Sequence, residues 1–233
     1  MHDHRGPIIA EGRSATIHDI GDGRVLRRYR DTGRSAQPEA DVLILAAGHG
    51  IPVPAVHDAQ GPDLVLQRID GPSMLDQLTR RPWTFQRNAV ILAQLHDRLH
   101  AVPAPQWLRR PFDTPEDAVL CHFDLHPGNV ILSINGPVLI DWEAAAAGTA
   151  PLDHAQTHLL ITTSTPPGGA AAAAIARIGN RLFAARIRAA VTQPCTADEL
   201  GAVATARLAD PHLLPEEANR VHTLIGRLPG QQR

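Results

Sequence analysis

The sequence predicts an α+β protein of two lobes: a small β-rich lobe over residues 1–70 and a larger, mostly helical lobe over residues 71–233. Three observations predict it. Short apolar runs punctuated by Gly, Pro and Asp fill the first 70 residues. Helical spacing takes over from Ser73. One further strand region, residues 119–141, then interrupts the helices.

Taken in order, residues 8–30 read as strands joined by turns. The segment ATIHDI alternates, GDG at 21–23 is a hairpin signal, and RVLRRYR follows. AQPEADVLILAAGH, residues 36–49, reads as a helix with apolar Val42, Leu43, Leu45 and Ala46, stopped by Gly48 or Gly50. Two more short strands flank the turn at Gly61-Pro62. Ser73 is a candidate N-cap for SMLDQLTRR. The next helix shows apolar spacing in Ile91, Leu95 and Leu99 and ends before Pro103. In 119–141, AVLCHF and NVILSI read as strands around a loop, and Asn135-Gly136 is a two-residue hairpin signal leading into PVLIDW. Helices resume beyond Asp153, apart from TSTPPGG at 163–169, which reads as a flexible joint. PHLLPEEANRVHTLIGRL closes the chain as an amphipathic helix.

Composition narrows the function. At 233 residues and 43% hydrophobic content, the chain can build a sizeable core, and 3% aromatic content makes that core mostly Leu, Val, Ile and Ala. A formal net charge of −2 argues against a bulk nucleic-acid binder. All 22 basic residues are Arg, so a reaction that needs a Lys must use Arg instead. Two cysteines, Cys121 and Cys195, provide neither a disulfide framework nor a thiolate metal cage, and fit a reducing cytosol. The first residues, MHDHRGPIIAEG, have no apolar signal core, and no stretch of about 18 apolar residues is present. The chain therefore reads as a soluble, cytoplasmic protein with no membrane partner.

The chemistry concentrates in CHFDLHPGNVILSINGPVLIDWE, residues 121–143. Asp124 follows an apolar strand, and Asn129 comes five residues later across LHPG. Asp141 ends the second hairpin strand at the same edge, so Asn129 and Asp141 are expected roughly opposite each other. An amide oxygen and a carboxylate make a hard-oxygen site suited to Mg²⁺. Asp124 is then placed to accept a proton from a hydroxyl. A metal to neutralise phosphate charge and a carboxylate to orient the nucleophile are what phosphoryl transfer requires.

HFDLHPGN followed by VLIDWE resembles the signature of the aminoglycoside phosphotransferase and choline-kinase-like family, relatives of the protein kinases. The resemblance implies a bilobal protein-kinase-like fold with a cleft between the lobes. It implies Asp124 as catalytic base, Asn129 and Asp141 as Mg²⁺ ligands, and His122 as a support of the loop. EGRSATIHDIGDGRVLRRY lies where the phosphate-covering hairpin belongs, although its glycine content is thin. In the strand that carries the phosphate-binding Lys of relatives, the match is Arg27, or Arg28 if the register slips, with Glu39 as partner. The backbone around Gln67, Arg68 and Ile69 would meet the base of ATP or GTP. Asp153 would anchor the loop by hydrogen bonds. The implied partners are a nucleotide and a small molecule bearing a hydroxyl, with no nucleic acid. Asp198, Glu199, Glu216 and Glu217 are candidate acidic residues for a cationic acceptor. His96 and His100 stand at i and i+4, a spacing that also serves metal ligation, although a packed helix uses such residues structurally more often.

Two other readings compete. His122, Asp124 and His126 alternate, and on a continuous strand they could bind Zn²⁺ in a metal-dependent hydrolase. A catalytically inactive nucleotide-binding regulator is favoured by the missing Lys and the thin glycine loop.

Overall fold

A computed structural model describes residues 6–164, 170–210 and 213–228. The chain divides into two compact units, one of Met1–Asp76 with Gly128–Ala145 and the other of Gln77–Pro127 with Ala146–Arg233.

The first unit is built on a five-stranded antiparallel sheet. Its strands are β1 (Ile8–Glu11), β2 (Ala15–Gly21), β3 (Arg24–Tyr29), β4 (Val56–Gln60) and β5 (Asp63–Gln67), in the order β1-β2-β3-β5-β4. The β2–β3 turn is Asp22-Gly23, with φ of 51° and 67°, and the paired residues flanking it are Gly21 and Arg24. Positive φ at both turn positions matches the twist of the strands, and Asp-Gly tolerates it. Helix α1 (Gln37–Gly48) buries Ala40, Val42, Leu43 and Ala46, and Gly50 beyond it takes φ 75°. Leu64, Leu26, Tyr29 and Trp142 complete this core.

The unit also contains the hairpin of β7 (Val130–Ser133) and β8 (Gly136–Leu139). Its turn residues are Ile134 and Asn135, one position earlier than the Asn-Gly pair predicts. Gly136, at φ 119°, is instead the first residue of β8. A backbone bond from Leu132 N to Pro72 O (2.9 Å) fastens the hairpin to the segment before α2 (Met74–Arg80). Ser73 caps that helix as expected, accepting from Asp76 N at 3.0 Å.

The second unit is helical around α4 (Ala150–Thr163), whose residues are buried on most sides. Packed with it are α3 (Phe85–Leu99), α5 (Ala170–Arg188), α6 (Ala197–Leu208) and α7 (Pro215–Ile225). The buried stripe of α3 runs through Leu92, Leu95, His96 and Leu99, and Ile91 is only half-buried. A two-stranded ribbon pairs β6 (Val119–Cys121) with β9 (Ala146–Gly148), an alanine-rich strand that its composition does not announce. The strand predicted over AVLCHF therefore stops at Cys121. Of the joint expected at 163–169, Thr163 closes α4, and residues 165–169 lie outside the described residues. No helix among the described residues is long and apolar enough to cross a membrane.

Candidate active site

In the first unit, the centre of the arrangement is the Arg27 guanidinium on β3. Period-2 alternation sends Arg27 and Arg28 to opposite faces. Arg27 faces the core and is 7% exposed, whereas Arg28 pairs with Asp63 across the β3–β5 ladder. Arg27 Nε donates to Glu39 Oε2 at 3.1 Å, and its Nη2 donates to Asp141 Oδ1 and Glu143 Oε2, both at 2.9 Å. Burial works against the charged guanidinium, but Glu39, Asp141 and Glu143 outweigh it and hold its pKa above the usual arginine value.

Glu39 is fixed by more than Arg27. Its carboxylate accepts from the Tyr29 hydroxyl and from Trp142 N at 3.2 Å. Burial nevertheless pushes its pKa up against the pull of Arg27. Burial together with the Glu39 charge also pushes the Tyr29 phenol upward, so it stays a neutral donor.

Asp141 does not end the strand, as its sequence context predicts. Strand β8 stops at Leu139, and Asp141 sits two residues later at φ 63°. A left-handed backbone is uncommon for a residue other than Gly, and Asp tolerates it better than most. The register pairs Val130 with Leu139, and Ile140 N donates to Asn129 O at 3.0 Å. Asn129 therefore lies beside Ile140, one residue short of the expected Asp141. Both residues belong to this unit, and their amide and carboxylate oxygens are the hard donors that Mg²⁺ takes.

From the sequence, Glu143 reads either as facing the expected cleft or as a solvated strand end. Besides Arg27, it accepts from Ser14 Oγ, in the turn between β1 and β2, and from Arg34, in the loop after β3. Arg34 also stacks over the Tyr29 ring, 4.4 Å from its centroid. The signal for Ser14 and Arg34 was weak: two polar residues in glycine-bearing loops, GRSA and DTGRS.

Gln67 ends β5 and is exposed, as is Arg68; Ile69 is half-buried. The N–H groups of Gln67 and Arg68 donate to Ala55 O and Gly23 O, each at 2.8 Å. The Arg68 side chain pairs with Asp19 and with Asp70.

In the second unit, Asp124 follows a strained corner. Phe123 has φ 55°, a conformation that costs about 1–3 kcal/mol unless its surroundings enforce it. Asp153, fully buried at the start of α4, supplies that enforcement. Its Oδ1 accepts from Phe123 N at 2.7 Å and its Oδ2 from His122 N at 3.2 Å. His122 Nδ1 in turn accepts from Asp124 N at 3.3 Å. His126 Nε2 lies 3.9 Å from Asp124 Oδ1. Of the acidic candidates for a cationic acceptor, Glu199 closes a capping box with Thr196 and Glu216 pairs with Arg220.

Comparison with known proteins agrees with this fold. The profile of the phosphotransferase enzyme family matches residues 67–189. The chain belongs to that family, and its fold is protein-kinase-like. Among solved structures, a choline/ethanolamine kinase family protein from Mesorhizobium loti aligns at TM-score 0.56 and 16% identity, over 96% of this chain and 79% of that one. An aminoglycoside-3'-phosphotransferase of type VIII aligns at 0.55 and 19%, over 94% and 91%. An amicoumacin kinase in complex with AMP-PNP and Ca²⁺ aligns at 0.58 and 13%, over 96% and 87%. Among curated protein sequences, nothing matches.

Proposed function

We propose that the protein is a cytoplasmic small-molecule kinase that transfers the γ-phosphate of ATP or GTP to a hydroxyl of its substrate. The observation that carries this reading is the joining of Arg27 to Glu39 and Asp141 at 3.1 and 2.9 Å. A purely structural ion pair has no need to engage the acidic residue of the IDW motif. Solved relatives of the same fold include complexes with AMP-PNP and Ca²⁺, with GDP and kanamycin, and with ATP and streptomycin.

In this reading, Asp124 orients the acceptor hydroxyl and takes its proton as the oxygen attacks phosphorus. The loop beneath Asp124 is already held by Asp153, so little orientation remains to be gained during the reaction. Asn129 and Asp141 would hold Mg²⁺, which when bound neutralises charge on the phosphates. Arg27 takes the part of the usual Lys, steering the phosphates while Glu39 holds its Nε edge. The backbone near Gln67, Arg68 and Ile69 receives the base.

The Arg27–Glu39 contact speaks against the inactive-regulator reading on the point of the missing Lys, while the thin glycine loop still speaks for it. The deciding experiment is a thermal shift with Mg²⁺-ATP, Mg²⁺-GTP, each nucleotide with EDTA, and Zn²⁺ alone, followed by ADP or GDP release with a panel of hydroxyl acceptors. Mg²⁺-dependent stabilisation with turnover supports the kinase. Stabilisation without turnover on any acceptor supports the regulator, and stabilisation by neither nucleotide sinks both.

A further inference from the structure

The strongest cluster that the proposed reaction leaves unused lies in the second unit, at the base of the Asp124 loop. His96 lies in the last turn of α3 and His100 caps that helix's C-terminus, and Asp153 reaches both from α4. Their nearest ligand atoms lie within 4.8 Å of one another. Asp153 Oδ2 is 2.9 Å from His100 Nε2 and 3.6 Å from His96 Nδ1.

The hydrogen bonds around His96 determine which of its nitrogens carries the proton. Thr157 Oγ1 donates its single proton to the Leu125 carbonyl at 2.7 Å. In its 3.1 Å contact with His96 Nε2 it can therefore only accept, which places the ring proton on Nε2. Burial holds the ring below the usual histidine range, and so neutral. Nδ1 is then a bare lone pair, buried and without a hydrogen-bond partner. It faces the Asp153 carboxylate, whose Oδ2 lies 3.6 Å away. A lone pair directed at an anion in a low-dielectric interior is costly, and a cation shared between them reconciles the two.

We propose that His96 Nδ1, His100 Nε2 and Asp153 Oδ2 bind a divalent transition-metal cation of the zinc type, as a structural site distinct from the Mg²⁺ ligands Asn129 and Asp141. Two imidazole nitrogens and one carboxylate oxygen suit zinc, whereas Mg²⁺ favours oxygen donors. With metal–ligand bonds of about 2.0–2.2 Å, neighbouring ligands of a tetrahedral ion lie ~3.3 Å apart. The observed separations of 2.9 and 3.6 Å bracket that value. On binding, the neutral His100 ring shifts its single proton from Nε2 to Nδ1, which frees the Nε2 lone pair for the ion, and a water fills the fourth position. His100, with its side chain 8% exposed, is the route of entry. Because Asp153 also holds the N–H groups of His122 and Phe123, the ion would tie α3, α4 and the loop of Asp124 together.

The test uses the full-length protein stripped with a chelator, then given Zn²⁺ or Co²⁺ in the presence of excess Mg²⁺. Elemental analysis after gel filtration is expected to find one transition-metal ion per chain. Zn²⁺ should raise the thermal midpoint by several degrees, and Co²⁺ should give the intense visible bands of a four-coordinate nitrogen-ligated site. His96→Gln and His100→Gln should each lose the ion, while His126→Gln keeps it. Should the two variants fail to fold, X-ray absorption of the zinc-loaded wild type decides, since it must show two imidazole ligands. No retained ion overturns the proposal, as does retention undiminished in both variants or a zinc spectrum without imidazole. A histidine proton resonance on His96 Nδ1 that persists with Zn²⁺ present overturns it too.

Discussion

Arg27 and Asp141 are 114 residues apart in sequence, and Arg27 Nη2 meets Asp141 Oδ1 at 2.9 Å. The same guanidinium is anchored through Nε to Glu39, so its charge is both buried and aimed. Taking one member from a buried ion pair leaves an uncompensated charge, at a cost of about 3–5 kcal/mol. Arg27→Met is expected to lose that much stability in urea denaturation. Arg27→Met combined with Glu39→Leu should lose less than the two single changes added together. A change of under about 0.5 kcal/mol for Arg27→Met alone would show that the pair contributes nothing to the fold.

Asp124→Ala is expected to lower turnover by about 10²–10⁴-fold, the usual contribution of a general base, while nucleotide affinity changes little. Asp141→Asn keeps a side chain that tolerates the left-handed backbone at this position. It should weaken Mg²⁺-nucleotide binding as well as turnover. Calorimetric nucleotide titrations beside initial rates separate the two, and an Asp124→Ala enzyme with wild-type rates would refute the mechanism.

Glu143 gathers Ser14, Arg27 and Arg34, three donors of a kind that also bind phosphate. An incoming polyphosphate that uses those donors must displace the carboxylate. Glu143→Gln removes the competing charge and should tighten nucleotide binding several-fold. It should also make the β1–β2 turn around Ser14 exchange its amide hydrogens faster in the nucleotide-free protein. Weaker nucleotide binding in Glu143→Gln would mean that Glu143 helps to hold the ligand.

Much of this arrangement could be read in the sequence because it is local. Asp124, Asn129 and Asp141 lie within 18 residues, in strands and turns with short-range signals. The choice between Arg27 and Arg28 was not local, since it depends on which face of β3 helix α1 covers. Nor does spacing alone reveal that Asp141 leaves the strand at φ 63°, a conformation imposed by the bonds around it. The sequence leaves Glu143 open between a cleft residue and a solvated strand end because Ser14 and Arg34 are 129 and 109 residues away. The pairing of β9 with β6 rests on tertiary context, as alanine has little preference for strands.

Two glycines test the packing around these residues with opposite tolerance. Gly71 has φ 148°, and a Cβ there would lie 2.5 Å from Leu132 O, a backbone atom of β7 that cannot move without disturbing the hairpin. A Cβ on Gly148 would meet the Phe123 ring at 2.7 Å and Cys121 Sγ at 3.0 Å, both side-chain atoms. Overpacking of that kind costs about 1–3 kcal/mol. Gly148→Ala is therefore expected to fold with reduced stability. Gly71→Ala carries backbone strain in addition to the clash, and should lose more, with the added loss appearing as faster amide exchange in β7 and β8. Equal losses in denaturant for the two variants would mean that the hairpin yields to Gly71→Ala more readily than its bond from Leu132 N to Pro72 O implies.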